Sequence, residues 1–171
     1  MKNKHYSLFI GFFLLVLPQI SRATHIVGGE MNYRCLGNDQ YEIQLTIFRD
    51  CDTGVPDFDD PASIGVFALD AVTNSYFLDT GVGQMGQLLI PKMNDDTLNP
   101  VLSDPCKVVP PNVCVNTSTY TDTISLPFRE GGYTLAYQRC CRNQSILNII
   151  DPLDTGATYP IEISETALIE C

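Results

Sequence analysis

The chain contains no tryptophan and only two histidines, His5 and His25. A histidine-based zinc site needs more imidazoles than that, and a serine-protease triad needs a histidine base well downstream of position 25. No Cys-x-x-Cys pair occurs, so a zinc site would have to be assembled from scattered thiols. Positive charge is scarce, with 10 Lys and Arg against 20 Asp and Glu and a formal charge of -10. Such an excess repels phosphate backbones and anionic membrane surfaces, which argues against nucleic acid as a partner. Helical patterning is missing too. No window longer than about ten residues keeps a 3.6-residue apolar repeat.

What is present begins with location. Lys2 and Lys4 precede the apolar run Leu8 to Leu17, and Ser21-Arg22-Ala23 follows it. That is the form of a secretory signal over residues 1–23, with cleavage before Thr24. A run of ten residues is half the roughly 20 that a membrane-spanning helix needs. The first cysteine is Cys35, so no lipid anchor follows the cleavage site. The expectation is a protein that is secreted or held at the outer cell surface, with no membrane insertion once the signal is removed. Removing 23 of 171 residues leaves 148, and the loss of Lys2, Lys4 and Arg22 moves the formal charge from -10 to -13. A chain of that length suits one domain, residues 24–171.

Alternation with period two dominates this domain. Tyr41, Ile43, Leu45 and Ile47 share one side of a strand, with Glu42, Gln44 and Thr46 on the other. Upstream, Glu30 to Leu36 alternates as well, and Gly37-Asn38-Asp39 supplies turn residues that tolerate positive φ. A second hairpin is expected between Ser63–Leu69 and Ser75–Leu78 around Thr73-Asn74. Leu88–Ile90, Thr119–Leu126, Tyr133–Cys141 and Tyr159–Ser164 also read as strands. Pro91 to Asn112, rich in Pro, Asp and Asn, reads as a long excursion. About eight short strands with Gly, Pro and Asp turns predict an all-β fold, an antiparallel β-sandwich of immunoglobulin-like or jelly-roll-like type, with a closed barrel as the alternative.

All seven cysteines follow the signal, and in an oxidising compartment disulfides are their expected state, with one left over. A hairpin turning near Asn38 separates Cys35 from Cys51 by roughly 30 Å of strand, far beyond bridging distance. Adjacent strand residues point to opposite faces, so Cys140 and Cys141 are expected to take different partners. The spacing suggests Cys106 with Cys114, and Cys51 with Cys140 or Cys141, leaving Cys35, the other vicinal cysteine and Cys171 open.

Several motifs suggest chemistry. Ile26-Val27-Gly28-Gly29 matches the mature start of trypsin-like proteases, but no Gly-Asp-Ser-Gly loop occurs, so the glycines read as a lead into a strand. Asp-Thr-Gly occurs at Asp52, Asp79 and Asp154, and Phe77 to Gly81 is similar to an aspartic-protease loop. The apolar segment that backs such a loop is missing, and Asp-Thr-Gly is also ordinary turn chemistry. Asp50, Asp52, Asp57, Asp59 and Asp60 crowd one loop. They present hard oxygen ligands for calcium, or else a solvated acidic loop partly neutralised by Arg49 or Arg139. Tyr133 and Tyr137 share a strand face and read as core or sheet surface before a sugar platform.

The stretches Thr24 to Cys51 and Gly131 to Ile149 together resemble the amino-terminal region of the large gliding motility-associated surface proteins of Bacteroidetes. The resemblance implies the first module of a longer multidomain protein, with further immunoglobulin-like or PKD-like domains and type IX secretion through a carboxy-terminal sorting domain. It implies no catalytic residues. The expected function is a non-enzymatic structural or adhesion module whose partners are downstream domains of the same protein and an extracellular glycan or surface protein. The alternative is a calcium-dependent glycan- or protein-binding module using residues 50–60.

Overall fold

The computed structural model describes residues 26–52, 57–70, 72–98, 108, 113–143 and 145–171. The alternating Tyr41–Ile47 segment lies in β2 (Gln40–Asp50), which pairs with β1 (Ile26–Gly37) across a turn where Asn38 and Asp39 have φ of 55° and 59°. Two positive φ values give the turn the twist of its strands, which is why this hairpin closes in so few residues. All four apolar side chains of the alternation are fully buried.

β3 (Ala62–Asp70) is flanked on one side by β4 (Ser75–Leu78) and β5 (Gln87–Ile90), end to end, and on the other by β8 (Tyr133–Cys140). β6 (Asn94–Leu98), β7 (Val115–Ser125) and β9 (Gly156–Ile163) complete two antiparallel sheets, β1-β2-β7-β6 and β4-β3-β8-β9. They pack face to face as a sandwich, so the barrel alternative falls away. The core is the inner face of both sheets, with Tyr41, Ile43, Leu45, Ile47 and Tyr120 from one and Ile64, Val66, Leu135, Tyr137 and Ile163 from the other.

One part of the expected excursion is a strand. β6 reads Asn-Asp-Asp-Thr-Leu and is exposed at every residue. An edge strand held by backbone pairing to β7 needs no apolar side, so it carries no alternation. Gly29 has a different constraint. A Cβ there would stand 2.7 Å from Ile47 and 3.0 Å from the Tyr159 ring, so its bareness lets β9 approach β1 across the open side of the sandwich.

The single α-helix among the described residues, α1 (Glu165–Glu170), is started by Ser164, whose hydroxyl accepts from Ala167 N. It buries Leu168 and receives a hydrogen bond from the Tyr41 hydroxyl on Ala167 O. Cys171 then bonds Cys35, tying this helix to the hairpin tip.

The other disulfides overturn the expected pairings. Cys51 bonds Cys114, not Cys140 or Cys141, because the neighbour of β2 is β7 and the register Asp50↔Val115 brings the next residues to a Cα separation of 5.2 Å. β8 belongs to the other sheet. Cys114 is therefore not the partner of Cys106, which lies outside the described residues. Cys140 and Cys141 bond each other rather than separate partners, because the chain leaves the strand at Cys140 and no longer alternates.

Replacing Cys35 or Cys171 by serine removes a cross-link spanning 136 positions and is expected to cost about 2–5 kcal/mol, read as a lower Tm in a thermal melt. A non-reducing peptide map should recover Cys35 with Cys171 and Cys51 with Cys114. A Cys51–Cys140 peptide would contradict the sheet order.

Candidate functional site

The ladder registers gather one end of the sandwich from the ends of β2 and β8 and the starts of β1, β3, β7 and β9. The acidic loop lies at this end, in the crossover from β2 to β3. Its carboxylates do not converge. Asp57 faces Arg49 at 3.4 Å and also accepts from Phe58 N at 2.8 Å. The Arg49 guanidinium stands 4.9 Å over the Phe58 ring. Asp59 receives the Tyr137 hydroxyl at 2.5 Å and faces Arg139 at 3.6 Å, while its carbonyl accepts from the Tyr120 hydroxyl at 2.8 Å. Arg139 also donates to the Asp57 carbonyl. Asp60 accepts from Lys92 N at 3.0 Å. Asp50 accepts from Asp52 N at 2.9 Å and from Asn143 Nδ2 at 3.2 Å, and Asp52 is exposed.

Among the described residues no three Asp, Glu, His or Cys side chains are grouped to hold a metal ion. The contacts of Asp57 and Asp59 are with arginines and a tyrosine, the arrangement of the non-metal reading of this loop. Arg49 and Arg139 face Asp57 and Asp59, and backbone N–H groups donate to Asp50, Asp57 and Asp60. The alternative reading of the same loop, neutralisation by Arg49 and Arg139, describes the contacts.

The tyrosines act here as donors. Burial, then the hydrogen bond and charge of Asp59, push the Tyr137 phenol well above its ordinary value. Burial likewise raises Tyr120. Both stay protonated and keep donating to the loop. Tyr133 and Tyr137 are buried, as core side chains and not as a sugar platform. Sequence alone gave no sign of the Tyr120 and Tyr137 contacts with Asp59, because they span 61 and 78 positions. The available signal was general: a buried tyrosine hydroxyl needs a partner.

Asp79 lies away from this end, in the turn after β4. It is buried, pairs with Arg129 at 2.9 Å and accepts from Gly81 N at 3.1 Å. Arg129 stands over the rings of Phe77 and Tyr133. An aspartic dyad requires a second carboxylate sharing a proton; Asp79 has a guanidinium there. Asp154 sits in the 3-10 turn Pro152–Asp154.

Two clefts open at the loop-bearing end. One, of about 250 Å³, is bounded by Val27, Asp50, Val113, Cys114, Asn143 and Ser145. The other, open and of about 360 Å³, lies against the paired end of β8 and start of β9. No helix among the described residues is long and apolar enough to cross a membrane. Compared with family models, curated proteins and solved structures, the chain shows no match.

Asp59→Ala is expected to cost about 3 kcal/mol, near the low end for breaking a buried pair because Asp59 is half-exposed, and Tyr137→Phe about 1–3 kcal/mol. Thermal melts check both. The same melts with and without a chelator should coincide; a fall in Tm on chelation would favour calcium in the loop.

The pair Lys92–Asp95, 2.5 Å apart, gives a pH test. Burial works to raise the Asp95 pKa, but the hydrogen bond and charge of Lys92, with the Ser118 hydroxyl and the charge of Arg49, outweigh it and hold the carboxyl below its ordinary 3.8. A lowered folded pKa adds stability above the unfolded value and loses it as pH falls through the folded one. The stability lost between about pH 5 and pH 2 should therefore be smaller in Asp95→Asn, and an identical acid limb would refute the assignment.

Proposed function

We propose that this protein is a non-enzymatic, exported structural or adhesion module, the leading module of a longer surface protein of the gliding motility-associated kind. The disulfide framework carries this reading. Six cysteines join in three cross-links, and such bonds form and persist in oxidising compartments. That agrees with the secretory signal read over residues 1–23. A second support is the use made of the charged groups. Arg49, Arg129 and Arg139 and their carboxylates hold loops against the sheets, as a load-transmitting spacer requires. Downstream domains of the same protein and an extracellular glycan or surface protein are the partners in this reading.

An antibody raised against residues 24–171 tests it on the native product of the source organism. The expected result is a band several times heavier than 18.9 kDa in the cell-surface fraction. A band near the mass of the chain, or one confined to the cytoplasm, overturns the proposal.

A further inference from the structure

The three disulfides differ in what they close. Cys35–Cys171 and Cys51–Cys114 join residues 136 and 63 positions apart, whereas Cys140–Cys141 joins neighbours. A cross-link stabilises mainly through the loop it closes in the unfolded chain. The first two therefore hold the sandwich shut, and opening either is opposed by the fold. The third closes only its own ring, so its opening is separable from unfolding.

Access favours the same bond. Cys140 is exposed at the end of β8, although Cys35 is exposed as well, so exposure alone does not select it. The surroundings do. Across the ladder Cys140 faces Gly156, and the next outward rung is Gln138 with Thr158. These residues, with Arg139 and Ala157, border the cleft of about 360 Å³. A Cβ on Gly156 would meet only the Arg139 carbonyl oxygen at 3.5 Å, an ordinary contact. Neither space nor backbone requires glycine there, and its bareness leaves the flank of Cys140 open. Arg142 donates through Nε to the Gly156 carbonyl at 2.9 Å, which places a cation beside the cleft where it favours an approaching thiolate.

We propose that Cys140–Cys141 is a thiol–disulfide exchange site, reduced by a dithiol reagent or dithiol protein entering the cleft beside Gly156. The thiolate attacks Cys140 Sγ, a mixed disulfide forms and the Cys140–Cys141 bond breaks. Cys141 leaves and takes a proton, since its burial favours the neutral thiol. The second thiol of the reagent then attacks the mixed disulfide, closing the reagent's own disulfide and releasing Cys140 as a thiol. Two electrons and two protons pass from the dithiol to the cysteine pair.

The pair sits where the chain leaves β8, before it returns through the turn Pro152–Asp154 to β9 in the same sheet. Cys141 O accepts from Ile26 N at 3.3 Å, Asn143 N donates to Ile26 O at 3.1 Å, and Arg142 N donates to Pro152 O and Thr155 O. Its redox state thus sets the corner that anchors the start of β1 and the loop bearing exposed Leu147 and Ile150.

The test uses the folded protein with free thiols first capped by N-ethylmaleimide. It is titrated with dithiothreitol, and new thiols are trapped with iodoacetamide and located by mass spectrometry. Cys140 and Cys141 should be labelled together at concentrations that leave Cys35, Cys51, Cys114 and Cys171 unlabelled and the far-UV circular dichroism unchanged. Amide hydrogen exchange at Arg142 and Asn143 should accelerate on reduction. Gly156→Leu should slow labelling of Cys140 several-fold without lowering Tm. The proposal is overturned by simultaneous labelling of the long-range disulfides, by unchanged exchange at Arg142 and Asn143, by an unaltered rate in Gly156→Leu, or by a map placing Cys140 and Cys141 in separate linkages.

Discussion

A sandwich of two sheets stays closed only if the segments that leave its strands are held down, and in this protein three of them are fastened by disulfides and buried polar contacts. The passage from β2 to β3 is gripped by Arg49, Arg139, Tyr120 and Tyr137 and begins at the Cys51–Cys114 bond. The exit from β8 turns on Cys140–Cys141 and is hydrogen-bonded to Ile26. The segment after β9 folds into α1 and is tied to the first hairpin by Cys35–Cys171. The apolar core supplies the driving force for the sheets to meet. The fastenings decide which ends meet.

Positive charge is the limiting resource in such an acidic chain. Beyond the signal only Arg34, Arg49, Lys92, Lys107, Arg129, Arg139 and Arg142 carry it. Among the described residues five of these form ion pairs, with Glu42, Asp57, Asp95, Asp79 and Asp59, and Arg142 holds the Gly156 carbonyl. Arginine suits the partly buried positions because its planar fork keeps several donors in place at once and is weakly hydrated. Arg49 and Arg139 have side chains only 12% and 9% exposed. They face Asp57 and Asp59, and so neutralise part of the run of five aspartates.

The strands were legible wherever one face met the core. Tyr41 to Ile47, Ser63 to Leu69 and Tyr133 to Tyr137 alternate because every second residue is buried, and burial writes itself into residue type. β6 was illegible because an edge strand with both faces wet leaves no such record. The cysteine pairing failed for a related reason. It depends on which strand neighbours β2, and alternation reports a strand's faces but not its neighbours. The start of β7 at Val115, four residues before the expected Thr119, was enough to hide Cys114 from Cys51.

The acidic loop shows the same limit from the side of chemistry. Five aspartates in eleven positions read equally as metal ligands or as partners for distant arginines, and local spacing does not distinguish them. What distinguishes them is Arg139 and Tyr137, which reach Asp59 only because β8 lies beside the start of β3 through the register Ile64↔Tyr137. A carboxylate's role is thus settled by which strand end it meets. Topology brings two guanidiniums and two phenols to one end of the sandwich, where they hold Asp57 and Asp59.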